Sequence, residues 1–184
     1  MENFAIVLAA GKGTRMKTEL PKCAFPILKK PMIEYIMENV EDSVIDEAIV
    51  VVGHQKEIFY EMLGDRVHFA LQEQQLGTGH AIKMTSELMK DKVGTTIIML
   101  GDMPLVDNTV INKVISYHQD RGNDLTVVTT EFDNPKGYGR IIRNEYRNIE
   151  AIVEHNDCTD EQKRIKEINT GIYVVNNKDL FKVL

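Results

Sequence analysis

No apolar run in the 184 residues is long enough to cross a bilayer, which takes about 20 consecutive apolar residues. The opening residues lack a basic stretch leading into a long apolar segment and a small-residue cleavage site. No secretory leader is therefore expected. Cysteine is scarce. Only Cys23 and Cys158 occur, far apart, which predicts two inert thiols in a reducing cytoplasm rather than a disulfide framework. An excess of positive charge is also missing: 22 Lys and Arg stand against 28 Asp and Glu, for a net charge of −6. General nucleic-acid binding, which needs a basic face, is excluded on that balance. There is no internal repeat and no low-complexity linker. What remains is ordinary globular composition, 43% hydrophobic and 27% charged, enough for one domain over residues 1–184 with a real core.

Apolar, β-branched runs alternate with amphipathic stretches. Phe4–Leu8, Ala48–Val52, Val67–Leu71, Thr96–Leu100 and Leu125–Thr130 read as strands. Helical spacing is predicted from Pro31 through Val40, around Ile58–Leu63, over Thr78–Lys90, and from an Asp107 cap through His118. Asn177 is expected to cap a last helix. After residue 130 the pattern changes: Arg140–Arg143, Ile149–Glu154 and Gly171–Val175 read as strands with fewer helices between them. A capping-box spacing at Thr159 and Gln162 predicts a short helix there. The expected fold class is α/β: a mostly parallel central sheet with helices on both faces, and added antiparallel strands in the later half.

Three strings sit where such a sheet places ligands, just beyond the carboxyl ends of strands. The first follows Phe4–Leu8: Ala9-Ala10-Gly11-Lys12-Gly13-Thr14-Arg15-Met16, then Leu20-Pro21-Lys22. Its glycines, N–H groups and cations suit a phosphate, although the same residues also fit a plain strand-to-helix turn with solvated charges. The dinucleotide fingerprint fails at Met16, and the P-loop pattern fails too, which disfavours a hydride-transferring dehydrogenase. The second is Gln72-Glu73-Gln74-Gln75-Leu76-Gly77-Thr78-Gly79-His80-Ala81, where amides and small residues suit a base edge or merely a polar loop. The third is Leu100-Gly101-Asp102-Met103-Pro104-Leu105. A lone carboxylate there can hold Mg2+ if nucleotide phosphates and water complete its shell; a turn aspartate is the plainer alternative. His54, His68 and His118 show no ligand spacing with the cysteines and read as surface or loop residues.

Taken whole, the first string resembles the signature loop of the sugar-nucleotide pyrophosphorylases. Within that family the chain is most similar to the uridylyltransferase domain of the bacterial N-acetylglucosamine-1-phosphate uridylyltransferases. The resemblance continues through Gln75–Ala81, through Leu100–Leu105, and through Tyr138-Gly139-Arg140, Val153-Glu154-His155 and Glu167–Gly171. It implies a Rossmann-like nucleotidyltransferase fold and synthesis of UDP-N-acetylglucosamine and pyrophosphate from UTP and N-acetylglucosamine 1-phosphate, with Mg2+ and in the cytoplasm. It also implies site residues. Leu8, Ala9, Ala10, Gly11, Gly13, Thr14, Arg15, Gln72, Gly77 and Thr78 would bind the nucleotide; Arg15 and Lys22 would be catalytic; Asp102 would hold the metal; Gly139, Glu154, Asn169 and Thr170 would bind the sugar. The family's second metal ligand, an asparagine, and its acetyltransferase domain have no counterpart in these residues. A C-terminally incomplete domain is expected, and a monomer. Two other readings stand beside this one: a related transferase of different specificity, and a non-catalytic nucleotide-sugar binding fragment.

Overall fold

The structure, a computed structural model, describes residues 1–11, 13, 20–182 and 184. The chain divides into two compact units, Met1–Thr126 with Tyr173–Leu184, and Val127–Ile172. Among the described residues no helix is long and apolar enough to cross a membrane. The architecture is mixed α/β, a mostly parallel sheet with antiparallel additions.

The first unit is built on β1 (Glu2–Leu8), whose residues Phe4 to Val7 are all buried. Its neighbours are β4 (Glu47–Val52) on one side and β6 (Gly94–Leu100) on the other, both parallel. The short β5 (His68–Leu71) lies parallel outside β4. These strands are nearly continuous Ile, Val and Met because both faces are covered, and that burial is the main stabilising term. The last strand, β10 (Glu167–Asn176), runs antiparallel to β6 from Tyr173 onward. Between β1 and β4 come a 3-10 turn at Lys22–Ala24, a two-residue hairpin of β2 (Pro26–Ile27) and β3 (Lys30–Pro31), and helix α1 (Met32–Glu41). Ile33, Ile36, Met37 and Val40 give α1 its buried stripe at helical spacing. Proline at 31 stands just before the helix, where its missing N–H is harmless.

Helix α2 (Lys56–Leu63) follows β4. The helix predicted over Thr78–Lys90 is two pieces, α3 (Thr78–Lys83) and α4 (Ser86–Met89). Thr85 sits wholly buried at the break. Its hydroxyl and its N–H both bond back to the Ile82 carbonyl, at 2.7 and 2.9 Å, which pulls the backbone out of the regular ladder. Helix α5 (Asn108–Arg121) begins at the predicted Asp107 cap, whose carboxylate accepts from the Val110 N–H at 2.9 Å. It runs one turn past His118 and ends at Gly122 in the left-handed conformation. His118 itself is buried, a correction to its reading as a surface residue. Its Nδ1 lies 2.9 Å from the Thr126 hydroxyl and its Nε2 3.4 Å from Asn176 Oδ1. The final helix, α6 (Asn177–Leu180), is short. Asn177 does not cap it; the side chain is buried, accepting from Thr96 and donating to the Lys92 carbonyl at 3.2 Å.

The second unit is antiparallel. In it β8 (Arg140–Arg143) pairs with β9 (Ile149–Val153), with Arg140 opposite Val153, and with the early part of β10, with Arg140 opposite Ile168. Strand β7 (Leu125–Glu131) enters this unit from Val127 on. The Thr159–Gln162 box forms reciprocally, at 2.9 and 3.2 Å, but supports only a single 3-10 turn at Gln162–Arg164.

Candidate nucleotide site

The strand order β5-β4-β1-β6-β10 sets the position of the site. From β1 the chain builds outward to β4 and β5, then returns to the other side for β6. The carboxyl ends of β1 and β6 therefore part at a switch point, where open α/β sheets leave a crevice. Backbone bonds hold the strand ends in step: Ala9 N–H to the Val51 carbonyl at 2.8 Å, Gly101 N–H to Leu8 at 2.9 Å, Gln72 N–H to Val52 at 2.8 Å.

A cleft of about 320 Å3 opens there, lined by Leu8, Ala10, Gly11, Gly13, Lys22, Gln72, Gly77, Thr78 and Asp102, among others. All three sequence strings thus meet in one crevice. Ala9 is the exception; it is buried and engaged through its backbone. Thr14 and Arg15, called as phosphate ligands, lie outside the described residues. The larger cleft of this unit, about 910 Å3, is lined by Met1, Lys90, Lys92, Asn176 and Lys182 among others and carries none of the strings, so volume alone does not choose the site.

Close packing explains Gly53 and Gly101, a positive φ explains Gly77 at +104°, and Gly13 needs both. Gly13 adopts φ +61°, and a Cβ there would come within 2.9 Å of Lys22 Cβ. Gly101 lies so near Cys23 and α1 that a Cβ would meet Cys23 Sγ at 3.0 Å and Ile33 Cδ1 at 3.2 Å. Gly53 does the same for two other loops: its Cβ would be 3.0 Å from the Ala10 carbonyl and from the Gln72 carbonyl and Gln75 Nε2. Gly11 has neither a positive φ nor a near neighbour; it simply leaves space in the cleft.

Lys22 and Asp102, eighty residues apart in sequence, form an ion pair across the cleft. The ammonium is about half exposed and the carboxylate one-fifth. Cys23 beside them is no nucleophile. Burial first, then the Asp102 charge, pushes its thiol up to about 12 against the lowering effect of Lys22, which fits the inert thiol expected from the sequence. Cys23 and Cys158 are both free and buried.

Gln72 is almost wholly buried. Its amide nitrogen donates to the Gly77 carbonyl at 3.1 Å and to His80 Nδ1 at 3.0 Å, which places the His80 proton on Nε2. The side chain thus braces the turn into α3, and Oε1 is the amide atom left for a ligand.

The residues called for a sugar lie in the second unit. Antiparallel register brings Gly139 beside both Glu154 and Asn169: a Cβ on Gly139 would lie 3.2 Å from Glu154 Oε1 and 3.6 Å from Asn169 Cβ. The Asn169 N–H donates to the Gly139 carbonyl at 2.9 Å. Thr170 does not join them; on the alternate face of β10 its hydroxyl donates to the Val128 carbonyl at 2.7 Å. Arg140 was not called. It is buried, donating to the Tyr138 carbonyl and, at 3.4 Å each, to His155 Nδ1 and the Lys163 carbonyl, and so braces the Gly139 turn. Its place beside Gly139 was the only signal available.

A metal fits this cleft in one way. Among the described residues no group of three His, Cys, Asp or Glu side chains converges. Asp102 offers a single carboxylate, which is enough for Mg2+ when phosphate oxygens and water supply the rest.

An α/β sheet with a switch-point cleft, a glycine-bearing loop after its first strand and a lone carboxylate after its fourth parallel strand places the chain among open α/β proteins that take ligands at their strand ends. Residues 4–183 match the family model described as nucleotidyl transferase, and the chain belongs to that family. Among curated relatives it is 52% identical over 184 residues to the bifunctional protein GlmU of Acholeplasma laidlawii. It is 44% identical over 185 residues to the protein of that name from Enterococcus faecalis. Both matches take in 100% of this chain and 40% of the relative, so the chain spans about two-fifths of their length. The fold matches a UDP-glucose pyrophosphorylase complexed with UDP-glucose, with TM-score 0.78 and 23% identity over 100% of this chain and 79% of that one. It also matches HddC from Yersinia pseudotuberculosis complexed with GMP-PN, with TM-score 0.73 and 24% identity over 98% and 79%.

Proposed function

We propose that this chain carries the uridylyl-transfer site of a UDP-N-acetylglucosamine pyrophosphorylase. A phosphate oxygen of N-acetylglucosamine 1-phosphate attacks the α-phosphorus of UTP, pyrophosphate leaves, and UDP-N-acetylglucosamine forms. The attacking oxygen is already an anion, so no general base is needed. The obstacle is the approach of several negative charges, and fixed cations and amides meet it.

The Gly11–Gly13 loop offers N–H groups to the phosphates, and Arg15 is assigned to the β- and γ-phosphates. Lys22 neutralises charge at the reacting centre. Asp102 holds Mg2+, which when bound screens the phosphates. Gln72 Oε1 and the Gly77–Thr78 backbone read the base. In the second unit Glu154 and Asn169 bind sugar hydroxyls, and Gly139, whose carbonyl is held by the Asn169 N–H, is assigned to an N-acetyl group through its N–H. Thr170 is the weakest of these assignments, because Val128 already holds its hydroxyl.

The observation that carries this reading is the meeting of Lys22 with Asp102 at the β1/β6 switch point. Release of pyrophosphate from UTP and N-acetylglucosamine 1-phosphate with Mg2+ tests it, and panels of other nucleoside triphosphates and sugar phosphates test its specificity. Binding of UDP-N-acetylglucosamine without turnover would assign the chain as a binding module instead.

A further inference from the structure

The ion pair that identifies the cleft also puts its two key residues in each other's way. Lys22 donates to Oδ2 of Asp102, and no other described cation reaches that carboxylate. The backbone at Lys22 is fixed by the 3-10 turn, through Ala24 N–H to Pro21 at 2.9 Å and Phe25 N–H to Lys22 at 3.1 Å. Gly13 packs against its Cβ. The ammonium, on a four-carbon arm and half exposed, can still swing without moving the fold. A divalent cation held by Asp102 would place a second positive charge against the carboxylate that Lys22 now occupies. An ammonium on the same carboxylate would then be a like charge at close range, only partly screened by solvent.

Resting on the reading above, we propose that Lys22 and the divalent cation are alternative partners of Asp102. Binding of the metal releases the Lys22 ammonium to the nucleotide phosphates. The pair is a latch that keeps the catalytic lysine from phosphate arriving without metal.

The test is UTP binding to the intact chain by calorimetry, in EDTA and in saturating Mg2+. It uses the wild type, Lys22→Ala, Asp102→Ala and the double variant, with circular dichroism to confirm folding. In EDTA, Asp102→Ala should bind UTP about fivefold more tightly than wild type, the ceiling for a partly exposed ion pair. That gain should fall below about twofold in the Lys22→Ala background, because there is no ammonium left to release. Lys22→Ala should also lose more UTP affinity in Mg2+ than in EDTA. An equal gain from Asp102→Ala in both backgrounds would mean simple removal of a repelling carboxylate and would overturn the proposal. So would no gain at all, or an equal Lys22→Ala loss in both conditions. In those cases the nucleotide site itself stands. Failure of the wild type to bind UTP in either condition removes that site, and the latch with it.

Discussion

The two units carry their candidate site residues in opposite ways. In the first, the cleft residues sit at the last residue of a strand, in the loops beyond it or in the short helical turns that follow, and the strands supply mainly position. In the second, Gly139, Glu154 and Asn169 sit in or directly beside paired strands, and the ladder itself brings them together. A parallel sheet buried on both faces admits few polar groups within its strands, here Thr95 and Thr96 of β6, so chemistry is pushed to the ends. An antiparallel sheet alternates its faces and can carry polar contacts along its length. The first arrangement suits a large, charged group that must be wrapped by N–H groups and cations. The second suits a flat ring with hydroxyls around its rim.

That contrast can be broken by mutation. The largest effect is expected in the first unit. Lys22→Ala or Asp102→Ala should lower turnover by about 10²–10³-fold with the fold intact by circular dichroism, the usual scale for losing one preorganised charge. Near-normal turnover would remove that residue from the mechanism. In the second unit Glu154→Ala or Asn169→Ala should instead raise the KM for the sugar phosphate by about 10- to 100-fold, with UTP affinity unchanged, as for lost hydrogen bonds to a substrate. If UTP affinity fell equally, the division of labour between the units would be wrong. Gly13→Ala should cost about tenfold in turnover, since a Cβ at positive φ collides with Lys22 and moves its arm. Gly11→Ala, with open space and ordinary backbone, should fold equally well and lose affinity only for the nucleotide.

The smallest effect concerns stability. Burial holds the His118 imidazole below the ordinary histidine range, with Asn176 and Asp124 opposing in part. The folded state therefore favours the neutral ring, and the unfolded chain takes up the proton first as pH falls. This contribution to stability is full above about pH 6.5 and is lost as pH drops toward the folded value. His118→Gln should flatten the decline of Tm between pH 8 and 5, by about 2–4 °C for each kcal/mol involved. An unchanged slope would place the acid sensitivity elsewhere.

The difference between the units also explains what could be read in advance. Loop residues at strand ends come as contiguous strings, so Gly11–Lys22, Gln72–Ala81 and Leu100–Leu105 were legible as candidate segments, and described residues of all three line one cleft. Gly139, Glu154 and Asn169 lie fifteen residues apart, and only the resemblance linked them. Thr170 was grouped with Asn169 because strings ignore which face a residue takes. His118 was misread for a related reason: a polar side chain late in an amphipathic helix looks solvated until a partner such as Thr126 is placed against it. Asn177, read as a helix cap, is buried against Thr96 instead, because a capping residue type does not reveal which partner its side chain meets.

By itself the sequence determined the order of strands and helices, the apolar core and the chemistry offered at each loop, because hydrophobic period and turn residues act locally. Only the tertiary structure decided that Lys22 faces Asp102, that Cys23 stays protonated and that Gln72 braces its own loop. Each of those depends on burial and on partners far along the chain, and distance in space is not written in sequence spacing.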